Sequence, residues 1–236
     1  MAKKQPRRAS SRRQSDALPR RRWWRRVVML LALLIVLVGV ALALRFFGIG
    51  GSGPAAQALT DPNAPLASFY TPEVLRWRED ILRWAQAYHI NPNVIAILMQ
   101  VESCGSAEVL SGAGAVGLMQ VMPYHFENGD NMLNPDTNVA LGLSIYYECL
   151  TQFANWDVGR AAACYNGGPG VLQRPFNQWP LETQLYYEWV TGLWQDVVSG
   201  AQTSATLERW LEAGGARLCA QAAQHVPRRT PDAATP

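Results

Sequence analysis

The chain has 236 residues and a formal net charge of +3, room for one or two domains. Neither end reads as globular, which leaves one compact domain of roughly 150 residues, long enough to bury a real core. The charge is split: residues 1–26 hold eleven Lys/Arg against Asp16 alone, whereas residues 46–236 hold nine against seventeen Asp/Glu. The basic character is thus confined to a tail, where it reads as a topogenic signal with affinity for anionic lipid and implies no nucleic-acid partner.

Val27 to Leu44 is an uncharged run of eighteen residues, extended past Arg45 by Phe46 and Phe47. A bilayer core needs about 20 apolar residues, so residues 27–47 predict a single transmembrane signal-anchor helix. Trp23 and Trp24 stand where indoles favour the headgroup level, and the arginines before the span place the N-terminus in the cytoplasm and the remainder outside. The competing reading is a cleaved signal peptide, with Ala55-Ala56-Gln57-Ala58 as a processing site. The predicted organisation is a basic cytoplasmic tail (1–26), the anchor (27–47), a Gly/Ala/Pro/Ser-rich flexible linker (48–67), the domain (68–221) and a disordered tail (222–236).

Within the domain, Thr71-Pro72-Glu73 and Asn91-Pro92 are helix starts, each a capping residue followed by Pro at the first helical position. The second helix is almost wholly apolar from Val94 to Val101, so it belongs in the core and carries Glu102 at its end. Four glycines break residues 105–117, predicting a loop that leads to a short helix at 115–120, ended by Pro123. Further helices are expected over Asp136–Cys149, Trp156–Cys164, Leu181–Val198 and Ala205–Leu211, with Asn166-Gly167-Gly168-Pro169 as a stop. No segment alternates long enough for a strand, and the fold class is mainly α.

The four cysteines, Cys104, Cys149, Cys164 and Cys219, all follow the apolar run. An even count outside the cytoplasm suggests disulfides with three possible pairings. The preferred one is Cys149–Cys164, bridging two helices joined by a short turn, with Cys104–Cys219 stapling the C-terminal part to the domain. Zinc is the competitor, but there is no Cys-x-x-Cys, and His89, His125 and His225 are scattered. No metal or organic cofactor is implied.

Three motifs carry chemistry: Glu102-Ser103 at the end of a core helix, Gly117-Leu118-Met119-Gln120-Val121-Met122-Pro123, and Tyr165-Asn166-Gly167-Gly168. A carboxyl among apolar neighbours has a raised pKa and can protonate a leaving oxygen at neutral pH. In this order the motifs resemble the catalytic domain of the lytic transglycosylases, of the soluble-lytic-murein-transglycosylase type related to goose-type lysozyme, over about Leu82 to Val198. Gly114-Ala115-Val116-Gly117-Leu118-Met119-Gln120 matches the family's GAxGLMQ signature, Asn134-Pro135 with Asn138 and Gly142 its intervening helix start, and Glu182-Thr183 with Tyr186 and Val190 its ETxxYVxxV run.

The resemblance implies a lysozyme-like helical domain whose substrate is the glycan strand of peptidoglycan. It implies that Glu102 acts as acid and then base. Ser111 and Tyr165 become hydrogen-bonding partners near it, Gln120, Met122 and Asn166 contact saccharide, and Glu182 supports the site from a second helix. The usual glycosidase has two flanking carboxylates. Of Glu108, Glu127, Asp130, Asp136 and Glu182, none sits in a motif marking a nucleophile, which agrees with the family's single-Glu chemistry and its 1,6-anhydro product.

Cys104 and Gly105 after Glu-Ser, and Cys164 before Tyr165, depart from the family's usual residues, as does Tyr187 where Val is usual. They bear on loop geometry more than on the chemistry. Two alternatives remain at this level: a muramidase of the same fold that uses water, and a peptidoglycan-binding module without catalysis. Trp189 and Trp194 read as core, Trp156 and Trp179 as either core or saccharide platforms, and His125 as a surface residue.

Overall fold

The computed structural model of the protein describes residues 54–224 and, before them, Leu31 alone. The chain divides between Ser52 and Gly53 into two units. The second unit holds, among the described residues, the helices α1 (Pro54–Leu59), α2 (Pro72–Leu75), α3 (Arg78–Tyr88), α4 (Pro92–Ser103), α5 (Pro135–Glu148), α6 (Val158–Gly167), α7 (Leu181–Val198), α8 (Ala205–Trp210) and α9 (Ala216–Gln224). No strand occurs among these residues, only the isolated antiparallel bridges Leu110–Val116 and Val116–Val121.

Helix α4 is the axis of the domain. Its cap is local: the Asn91 side chain accepts from the Asn93 N–H, and Pro92 holds the first position, where no N–H is needed. Every residue from Pro92 to Gln100 is buried, because α3 and α7 pack on it and α9 closes it from below. The apolar run over Val94–Val101 needs this enclosure. The same capping logic starts α5 at Asn134 and α6 at Asp157, whose side chains accept from Thr137 N and Arg160 N.

Two disulfides staple the bundle, Cys104–Cys219 between the ends of α4 and α9 and Cys149–Cys164 between α5 and α6, the pairing preferred from the sequence. Around the first, Gln100 is fully buried. Its carbonyl oxygen accepts from Thr71 N and Oγ1 at 3.1 and 3.2 Å, and its amide lies 3.2 Å from Cys104 Sγ. Arg76 reaches from the end of α2 to the carbonyls of Gly105 and Ala222, tying the last helix to the turn after α4. Glu73 also faces Cys104 and Cys219 at metal-ligand spacing, but both sulfurs are joined in the disulfide and offer no thiolate.

Several expectations change. The linker foreseen over 48–67 is ordered from Pro54: α1 buries Ala56 and Leu59, and Leu66 joins the core. Its Ala and Leu positions are apolar anchors, and Asn91 N and Nδ2 donate to Leu59 O and Ala58 O. Residues 222–224, foreseen as part of the tail, belong to α9, where Ala222 is buried and its carbonyl accepts from Arg76; residues 225–236 lie outside the described residues.

Residues 115–120 form turns instead of a helix. Gly117 and Gln120 have φ of +75° and +47°, and Asn138 bonds the peptide groups a helix would have paired internally. The chain after Thr71 is one helical turn and then α3, and Thr71 Oγ1 bonds Gln100 and not its own helix. Helix α6 starts at Val158, two residues later than expected, because Asn155 and Trp156 take positive φ.

No helix of the described residues is long and apolar enough to cross a membrane. Apart from Leu31, the span expected over 27–47 lies outside the described residues.

Candidate active site

The end of α4 places Glu102 beside a cleft of about 630 Å³. Ser103 fixes that end: it is fully buried and donates to Leu118 O at 2.8 Å, while Gly105 N donates back to Ser103 Oγ at 3.1 Å. The Ser after the acid is therefore a tie between the core helix and the glycine-rich turn. Gly105 must lack a side chain, since its φ is +77° and a Cβ would meet the Glu73 carbonyl.

Asn138 on α5 supports the glycine-rich turn from behind the cleft. Fully buried, it accepts from Met119 N at 2.8 Å and donates to Val116 O and Met132 O at 2.9 and 3.1 Å. Gly117 lies against this amide, so close that a Cβ there would sit 2.6 Å from Asn138 Nδ2. Gly142 likewise leaves room for Met119 and for the Tyr165 hydroxyl. The turn 116–121 is shaped by these two close approaches, and it delivers Gln120 and Met122 to the cleft wall.

Glu102, Ser111, Gln120, Met122, Tyr165, Asn166 and Glu182 all line this one cleft, so every site residue named from the sequence is brought together. Their bonds differ from expectation in one respect. The partner of Glu102 is Tyr186 on α7, whose phenol donates to Oε1 at 2.6 Å. The Tyr165 phenol instead donates to Met119 O at 2.7 Å, and Ser111 Oγ accepts from Ala115 N at 2.9 Å. Ser111 and Tyr165 thus brace the turn around the acid. Gln120 Nε2 donates to Val109 O and Gly117 O, and Asn166 Oδ1 accepts from Thr183 Oγ1 at 2.7 Å.

Part of Glu102 opens to the cleft, while protein packs around its carboxyl. Burial pushes its pKa up to about 8, against the Tyr186 hydrogen bond, which lowers it; the charge of Glu182 raises it further. The Tyr165 and Tyr186 phenols are held well above their ordinary value, first by burial and then by the charge of Glu102. Glu102 is thus a carboxylic acid that keeps its proton at neutral pH, at the wall of an open cleft, with a neutral donor fixing its orientation.

The motif match includes Tyr186 without giving it a role; the ETxxY spacing is the signal that could have found it. Trp189, read as core, also faces the cleft, as do Tyr124 and His125, whose rings lie 4.4 Å apart on the exposed rim. Trp179 resolves to core: it is buried and donates its N–H to Arg174 O.

Residues 79–182 match the family described as the Transglycosylase SLT domain. The chain is similar to the transglycosylase of Enterobacteria phage PRD1, 34% identical over 114 residues that make up 48% of this chain and 40% of that one. It is also similar to the soluble lytic murein transglycosylase of Salmonella typhimurium, 29% identical over 111 residues, 42% of this chain and 17% of that one. The chain therefore spans well under half the length of these relatives. The 70 kDa soluble lytic transglycosylase of Escherichia coli superimposes on 56% of this chain and 26% of its own, with 23% identity and a TM-score of 0.42.

Proposed function

We propose that this protein is a lytic transglycosylase that cleaves the glycosidic bond between N-acetylmuramyl and N-acetylglucosaminyl units of peptidoglycan. The observation that carries the reading is Glu102: a carboxyl raised to about 8 and hydrogen-bonded by Tyr186 in an open cleft. The SLT domain match over residues 79–182 supports it.

In the proposed reaction the protonated Glu102 donates its proton to the glycosidic oxygen as the bond to the anomeric carbon breaks. The glucosaminyl unit leaves as an alcohol, and the substrate's N-acetyl group shares the positive charge at the anomeric carbon. Glu102, now a carboxylate, takes the proton of the muramyl 6-hydroxyl as that oxygen attacks the same carbon. The product is a 1,6-anhydro ring, no water is consumed, and Glu102 ends as it began. A single residue serves because its two states differ by the proton it has just delivered. Tyr186 stabilises the carboxylate state, while burial and Glu182 favour the acid.

Mass spectrometry of muropeptides released from purified sacculi tests this. Products one water lighter than hydrolysed fragments are expected; reducing ends would make the enzyme a muramidase, and binding without release would make it a non-catalytic module. We further propose that residues 27–47 anchor the protein in the cell membrane with the domain on the outer side, on the strength of the uncharged run Val27 to Leu44. Carbonate-resistant membrane association, lost on deleting 27–47, is the expected result.

A further inference from the structure

A second cleft of about 310 Å³ lies beside α7, lined by Trp156 and Trp194, by Thr191 and Gln195, and by Ala55 and Ala58 of α1 among others. Successive residues of an α-helix turn by about 100°, so positions 191, 194, 195 and 198 occupy the face of α7 opposite positions 182, 185, 186 and 189, which line the catalytic cleft. The two clefts are separate sites that share one helix. Nothing in the proposed reaction uses the second.

The lining has a particular chemistry. Trp77, Trp84 and Trp179 each donate the indole N–H to a protein oxygen. Trp156 and Trp194 do not, among the described residues, although both are half-buried. The Thr191 hydroxyl is buried with no partner, the Gln195 side chain is exposed on the rim, and Asp157 adds a carboxylate that has capped α6 through one oxygen only. Two indoles in one lining, with the Gln195 amide and the Asp157 carboxylate at the exposed rim, match a pyranose ring, which has an apolar C–H face and a polar perimeter. The volume is at the small end of the about 300–1,000 Å³ typical of ligand sites, the scale of a sugar unit and its acetamido group.

Backbone geometry supports a built site. Trp156 has a φ of +64° and Asn155 one of +49°, a region bulky residues rarely enter and where strain gathers at functional positions. The backbone N–H of Trp156 donates to Leu150 O at 2.9 Å, and Tyr147 meets the indole edge-on at 5.9 Å. Two elements therefore hold this indole in the lining. Gly159 is part of the same arrangement, since a Cβ there would collide with the Thr191 hydroxyl.

We propose that this cleft is a secondary glycan-binding site that takes an N-acetylated aminosugar unit of a peptidoglycan strand. The inference rests on the glycan reading of the catalytic cleft. It would let the protein hold one stretch of glycan while another is cut.

The test is an NMR titration of the full-length chain carrying Glu102→Gln with a tetramer of N-acetylglucosamine. Shifts are expected in two groups: the amides of Gln120 and Met122 in the catalytic cleft, and the indole signals of Trp156 and Trp194 with the amides of Gly159 and Gln195 in the second. Trp194→Ala should weaken the second group's Kd by about tenfold while the first persists. Ala58→Trp, which fills the second cleft from its exposed rim without touching the core, should abolish the second group.

A silent second cleft beside a responding catalytic one overturns the inference alone. A responding second cleft with a silent catalytic one sustains it and sinks the glycan reading of the groove. Silence at both sinks both, and second-group shifts that survive Ala58→Trp assign the binding elsewhere.

Discussion

Tyr186 Oη lies 2.6 Å from Glu102 Oε1, although 84 residues separate them in the chain. The bond joins α7 to the end of α4 and sets the orientation and the proton affinity of the one carboxyl on which the proposed chemistry turns. A phenol held far above its ordinary pKa by burial is a permanent donor, so it stabilises Glu102 more as carboxylate than as acid.

Replacing Glu102 by Gln removes the proton while keeping an oxygen for Tyr186. Cleavage of sacculi should fall by about 10²–10⁴-fold, the range for loss of a general acid, with binding retained. Muropeptide release and sacculus co-sedimentation measure the two separately. Activity within tenfold of the parent would remove Glu102 from the mechanism.

The raised pKa has a signed consequence for pH. The proposed cleavage needs protonated Glu102, so the rate at saturating substrate should decline as pH rises through about 8. Stability follows the same group: between the unfolded value near 4.5 and about 8 the folded state holds a proton that the unfolded state has lost. The Glu102 contribution therefore falls with rising pH across that window and levels off above it. Glu102→Gln should raise the melting temperature relative to the parent more at pH 9 than at pH 5.

Tyr186→Phe deletes the interaction that lowers the Glu102 pKa. The alkaline limb of the rate profile should move to higher pH, and the carboxylate formed after proton donation should be less stable. Hydrogen bonds to charged groups contribute about 1.5–3 kcal/mol, so a drop in kcat of roughly ten- to a hundred-fold is expected. A limb that stays in place would show that Tyr186 only packs.

Asn138→Ala tests how the site turn is built. The amide makes three hydrogen bonds, to Met119 N, Val116 O and Met132 O, and its loss leaves buried peptide groups unpaired. Urea denaturation should show a loss of about 2–4 kcal/mol, since each unpaired buried group costs about 1–3 kcal/mol. Asn138→Asp should fail as well, because it can accept from Met119 N but cannot donate to two carbonyls.

Pairwise replacement of the disulfides should order by loop length. Cys104 and Cys219 are 115 residues apart and Cys149 and Cys164 are 15 apart. Chain entropy gives about 4–5 kcal/mol for the longer loop and about 3 kcal/mol for the shorter. The Cys104→Ala/Cys219→Ala pair should therefore lower the denaturation midpoint more, and equal losses would point to a different origin for the stabilisation.

What the sequence by itself determined is what neighbouring residues decide between them. Asn91 and Asn134 start α4 and α5 because an amide can bond the N–H two or three residues on. The apolar run after Pro92 demands burial, and it put Glu102 at the end of a core helix. Only the tertiary structure decided the rest. Ala115, Leu118, Met119 and Gln120 favour a helix, yet residues 115–120 form turns, because Asn138, remote in sequence, bonds their peptides and Gly117 takes a positive φ. Residues 54–59 look like linker until α4 offers a cap to pack on. Trp189 reads as core from its period, yet its face of α7 is the one that meets the cleft. The choice of Tyr186 over Tyr165 as donor to Glu102 has the same origin: a hydrogen bond forms where packing brings two atoms within about 3 Å, and no local rule reaches across 84 residues.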